Sequence, residues 1–105
     1  LDRLNGIKHV VLSNHDRRQD IPELLKYVDT VGGMIDYKGF ALTHCPIHPN
    51  ELRSRILSVH GHLHGDIIEI DGNPDYRYFN VNLDNNYFKL VPFEEVVEYS
   101  KKLHP

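Results

Sequence analysis

Leu57-Ser58-Val59-His60-Gly61-His62-Leu63-His64-Gly65 is a short apolar run that breaks into a glycine-bounded cluster of three histidines. Leu57 to Val59 predicts a strand, and the histidine cluster predicts a loop at its carboxyl end. His62 and His64 stand two apart. On an extended segment they would share one side and could reach a single ion or two adjacent ones. Gly61 and Gly65 are expected to permit tight turns where a side chain would block close approach of the backbone to bound metal ions.

The same pattern recurs upstream. Ile7 to Ser13 is a β-branched run expected to form a buried strand, and it stops at the polar segment Asn14-His15-Asp16-Arg17-Arg18. Met34-Ile35-Asp36 and Phe40-Ala41-Leu42-Thr43 flank Tyr37-Lys38-Gly39 and predict a hairpin with glycine at positive φ. His44-Cys45-Pro46-Ile47-His48-Pro49 follows as another strand-end loop. Between the first two strands, Ile21, Leu24, Leu25 and Val28 recur at helical spacing; Asp20 and Glu23 suggest a capping box, and Gly32-Gly33 a helix stop.

Residues 50–56 are expected to form a short helix with Pro49 near its first turn. Downstream, Asp66 to Ile70 and Tyr76 to Leu83 predict two strands joined by Asp71-Gly72-Asn73-Pro74. Val91-Pro92 opens a final helix, with Glu94 and Glu95 in its first turn and Lys101 and Lys102 in its last. There is no repeat and no linker, so residues 1–105 are expected to be one α/β domain.

Composition narrows the function classes. The chain has 105 residues, 40% of them hydrophobic and 26% charged, and a net charge of −3, which does not suggest a broadly electropositive nucleic-acid surface. No apolar stretch approaches the ~20 residues of a membrane helix, and no signal-peptide pattern opens the chain. A single cysteine, Cys45, excludes an internal disulfide framework; a reduced, cytoplasmic setting is expected. Eight histidines are present, five of them between residues 44 and 64.

A lone histidine at a strand end is ordinarily a surface or hydrogen-bonded residue. Three polar clusters, each following a strand, point to a shared crevice, because loops at the carboxyl ends of neighbouring strands converge there. Neutral imidazoles with an amide or carboxylate oxygen suit a first-row transition metal.

Asn-His-Asp after one strand, His after a second and Gly-His-x-His after a third resemble the calcineurin-like metallophosphoesterases, particularly small phage and bacterial members. The flanks Leu4-Asn5-Gly6-Ile7-Lys8 and Tyr78-Phe79-Asn80-Val81-Asn82-Leu83-Asp84 agree. The likeness covers roughly residues 4 to 98. It implies a sandwich of mixed β-sheets flanked by helices, with two divalent ions (Mn, Fe, Zn or Ni) at the strand ends. Asn14, His44 and His62 would bind one ion and His64 the other. His15 would be the catalytic histidine that protonates the leaving group while a metal-activated water attacks a phosphomonoester or phosphodiester. The substrate class includes nucleotides and nucleic acid. Asp16 would orient the loop or a ligand.

Arg17 or Arg18 could grip a substrate phosphate, and His60 would support the site from behind or play a structural part. Cys45 reads as a small buried apolar residue rather than a nucleophile. His9 and His104 carry no functional weight, and Tyr76, Tyr78, Phe79, Tyr87 and Phe88 read as packing residues.

Two departures from the family stand out. Ser13 occupies the position of a glycine, and the family's earlier Asp-x-His and Gly-Asp-x-x-Asp motifs are absent. The expectation is therefore a carboxyl-terminal portion lacking the N-terminal strands, with exposed sheet edges that favour homo-oligomerisation. The alternatives are a non-catalytic metal-binding or interaction module and a mononuclear zinc hydrolase.

Overall fold

The computed structural model describes residues 6–103; Leu4, Asn5 and His104 lie outside them. Eight short strands run in chain order as β1 (His9–Val11), β2 (Thr30–Gly32), β3 (Met34–Tyr37), β4 (Phe40–Thr43), β5 (Ser58–His60), β6 (Glu69–Ile70), β7 (Asn73–Pro74) and β8 (Tyr78–Asn80). Among the described residues three α-helices accompany them: α1 (Ile21–Leu24), α2 (Pro49–Leu52) and α3 (Phe93–Ser100). The fold is a mixed α/β arrangement of several sheets.

The central sheet has the order β3-β4-β5-β8. β3 and β4 form the expected antiparallel hairpin, closed by Lys38 and Gly39 at φ 50° and 89°. Two successive positive φ values give the turn whose twist matches the flanking strands. β4, β5 and β8 run parallel, so their carboxyl ends share one edge. Along β5 and β8 side chains alternate. Val59 and Phe79 belong to the apolar cluster with Phe40, Leu57 and Val96, which α3 covers. Phe93 of α3 meets Phe40 and Tyr37 edge-on at 5.2 and 5.0 Å. The alternate positions are also buried: Ser58, His60 and Asn80 are polar, and Tyr78 donates its hydroxyl to the Ile47 carbonyl.

β1 and β2 pair in parallel, Val11 opposite Gly32. This pairing corrects the helix expectation over residues 21–28. Pro22 sits in the first turn of α1, which ends after Leu24, and the chain then turns to deliver Val28 to a buried position and Thr30 to β2. Gly32 thus belongs to a strand rather than stopping a helix. The capping box is also absent, because the Asp20 carboxylate accepts from Arg17 and Glu23 pairs with Lys26. β1 is shorter than expected and half-buried, since β2 is its one partner among the described residues.

The remaining departures are smaller. β5 is shifted one residue onward and takes in His60, while α2 stops at Leu52. Asp71-Gly72 alone turns the β6–β7 hairpin, at φ 53° and 80°. Tyr87 and Phe88 are not packing residues: they are 90% and 78% exposed. No helix among the described residues is long and apolar enough to cross a membrane.

Candidate metal centre

Strand connectivity brings distant residues together. Val11 is opposite Gly32, and Gly33 joins β2 directly to β3, whose Met34 is opposite Thr43. The end of β1 therefore lies near the end of β4, which places Asn14 beside His44. On the other side of β4, Leu42 is opposite Val59, so β5 ends next to His44 as well. The Gly61 amide donates to the His44 carbonyl at 2.8 Å and fixes that junction.

The result is a tight group. His44 Nε2 lies 2.8 Å from Asn14 Oδ1 and 3.0 Å from His62 Nδ1, and the two rings meet edge-on at 4.9 Å. One ring proton on His44 Nε2 serves both contacts, and a cation could take its place among the three atoms. Two donors about 2.1 Å from an ion and at right angles to one another stand about 3.0 Å apart, close to what is observed. Burial holds His44 below the ordinary histidine pKa; the charges of His62 and His15 push the same way and Asp16 opposes them. A neutral ring offers a lone pair to a metal. Among the described residues, His44, Cys45 and His62 form the one cluster of three acidic, thiol or imidazole side chains close enough to share an ion.

The loop after β5 is not extended, which corrects the two-apart argument for His62 and His64. Leu63 N donates to Gly61 O at 2.8 Å with His62 at φ 68°, a three-residue turn of the rare positive-φ kind. His64 is also left-handed, at φ 53°. The two side chains diverge: His62 joins His44, whereas His64 Nδ1 stands 3.6 Å from Asp84 Oδ2. Such strain in non-glycine residues persists only where surrounding contacts over-determine it.

The glycines of this loop differ. A Cβ on Gly61 would lie 3.2 Å from Asn82 Oδ1, so the space there is restricted by Asn82. Gly65 has nothing within 4 Å of a built Cβ and no positive φ, so neither space nor backbone demands glycine.

The first loop is held by its own side chains. Ser13 N donates to Asp16 Oδ2 at 2.7 Å, and His15 N donates to Ser13 Oγ at 3.1 Å. Hydrogen bonding from Ser13, backbone first and side chain second, holds the Asp16 carboxyl below the usual range. Ser13 does not adopt positive φ, so the backbone there makes no demand for glycine. His15 is exposed, with its ring free of hydrogen bonds among the described residues, and its charge is felt at His44. Arg17 is directed to Asp20, at 3.0 and 3.3 Å.

His60 is 1% exposed and donates from Nδ1 to the Gly61 carbonyl at 2.8 Å. Burial lowers its pKa and favours the neutral ring. It lies on a cavity of about 360 Å³ also bordered by Tyr76, Tyr78 and Tyr99, separate from the open groove of about 370 Å³ that Asn14, His44 and Cys45 line. Cys45 is exposed, against the expectation of burial.

Sequence reasoning missed Asn80. Its register opposite His60 places its amide beneath the loop, where Nδ2 donates to the His64 and Asp66 carbonyls. Its Oδ1 accepts from Asn82 N, and its carbonyl accepts from Asn85 and Asn86. Four asparagines between residues 80 and 86 were the available signal.

No family model matches this chain, and no curated protein or solved structure matches it either.

Proposed function

We propose that the chain is a metal-dependent phosphoesterase built around an ion held by Asn14, His44 and His62. The observation that carries the reading is the convergence of Asn14 Oδ1 and His62 Nδ1 on His44 Nε2, within 3.0 Å, from three different strand-end loops. The order of those loops resembles the calcineurin-like enzymes, and the reading carries with it their stacked-sheet architecture. A divalent ion there would polarise a phosphoryl oxygen and lower the pKa of water at the site. A second ion, which the resemblance implies, would rest on His64 and draw on Asp84.

The chain's own contribution follows from placement. Water attacks phosphorus, the ester P–O bond breaks, and His15 gives its proton to the departing oxygen. The Ser13–Asp16 contacts fix the backbone from which His15 projects, and they leave its ring free to move that proton. Nothing about these groups separates monoesters from diesters, so both belong to the substrate class, nucleotides and nucleic acid included.

The test uses chelator-treated protein resupplied with Mn²⁺, Fe²⁺, Zn²⁺ or Ni²⁺ and assayed on p-nitrophenyl phosphate and its bis ester. Hydrolysis that requires added ion and disappears in His44→Ala supports the reading. Ion binding without hydrolysis of either ester would replace it with a non-catalytic metal-binding module.

A further inference from the structure

We infer that Cys45 supplies a thiolate to the ion shared by His44 and His62, making the centre a zinc- or cobalt-type site rather than one for manganese. This rests on the metal-site reading above and goes further by naming a donor outside the Asn-His-His set and the class of ion it selects.

Three observations carry the inference. Ligand atoms of His44, Cys45 and His62 all lie within 4.8 Å of one another. Cys45 lines the same groove as Asn14 and His44, and its side chain is exposed. Adjacent side chains on a strand point oppositely, but the chain bends at His44 and Cys45. Thr43 Oγ1 donating to the Cys45 carbonyl at 2.5 Å, and Gly61 N donating to the His44 carbonyl, hold that bend.

The remaining displacement is small. With metal–sulfur and metal–nitrogen bonds of about 2.3 and 2.0–2.1 Å, a sulfur and a nitrogen donor stand roughly 3.1 Å apart at right angles and roughly 3.6 Å apart at the tetrahedral angle, which the His44–His62 pair would reach by opening by about 0.4 Å. Rotation of an exposed cysteine side chain about χ1 moves its sulfur by more than the difference from 4.8 Å. As the metal–sulfur bond forms, the thiol proton passes to solvent. A thiolate beside two imidazoles favours borderline-soft ions over the hard, oxygen-seeking ones.

Cobalt(II) added to the reduced, metal-free chain tests this. The expected result is one cobalt per chain with a thiolate-to-cobalt charge-transfer band in the near ultraviolet. Cys45→Ser should lose that band and keep the visible ligand-field bands of bound cobalt. Since Cys45 is the sole cysteine, the band has no other source within the chain. Its survival in His62→Ala would mean an adventitious thiol complex and overturn the inference. Cobalt bound without the band would overturn Cys45 ligation and leave the metal site standing. No bound cobalt would overturn both.

Discussion

The side-chain amide of Asn80 holds the backbone of His64: Nδ2 donates to the His64 carbonyl at 2.8 Å and to the Asp66 carbonyl at 2.7 Å. A buried residue of β8 thereby shapes the loop that carries His62 and His64, through contacts to that loop's backbone. Asn80→Ala removes both donors and the acceptor for Asn82 N, leaving part-buried polar groups unmatched. The expected loss is about 2–3 kcal/mol of stability, since each such group costs roughly 1–3 kcal/mol and the loop relaxes in part. Urea denaturation measures it. A change below about 0.5 kcal/mol would mean that the loop keeps its shape without Asn80.

His15 is expected to act on turnover and not on ion retention. Its backbone is fixed by Ser13, while its ring makes no hydrogen bond among the described residues. His15→Ala should reduce phosphoester turnover by about 10²–10⁴-fold, the usual worth of a positioned proton donor. Metal content, measured by atomic absorption, should not change. Undiminished turnover would remove His15 from the chemistry.

Gly39 tests the hairpin that sets the position of β4. It sits at φ 89°, and a Cβ there would lie 3.1 Å from Ile56 Cδ1. Gly39→Ala is therefore strained in backbone and in space, and should cost about 1–2 kcal/mol. A lowered melting temperature is the expected readout; an unchanged one would show that the turn adopts another shape.

Asp75 makes the clearest acid-dependent contact. Its carboxylate accepts from Arg77 Nη2 at 2.6 Å and from Nε at 2.9 Å, and these bonds hold its pKa below the ordinary aspartate value against the opposing effect of burial. A depressed folded-state pKa gives stability that is present above the unfolded value of about 3.9 and lost as pH falls through the lower folded value. Asp75→Asn should thus be destabilised relative to the parent at pH 7, and the two should approach each other as pH falls below the unfolded value and through the lower folded one. A constant difference across that range would show that the ionised carboxylate is not the source.

Much of this arrangement was legible in local sequence. Lys38-Gly39 between apolar runs announced the hairpin, and polar clusters after Ser13, Thr43 and Val59 announced the loops that meet. What could not be read depends on pairing between distant segments. β2 is three residues ending in glycine, and it exists because it pairs with β1 across nearly twenty residues of intervening chain. Asn80 gains its role only through the parallel register that sets it opposite His60. The divergence of His62 and His64 follows from left-handed backbone at both, which side-chain periodicity does not encode. Cys45, read as buried filler, comes to the surface because the chain bends at His44.

The most direct test is an anomalous-difference map from crystals of the chain grown with zinc. The account predicts a peak within about 2.0–2.4 Å of His44 Nε2, His62 Nδ1 and Asn14 Oδ1. A zinc peak elsewhere, with these three atoms still hydrogen-bonded to one another, would contradict it.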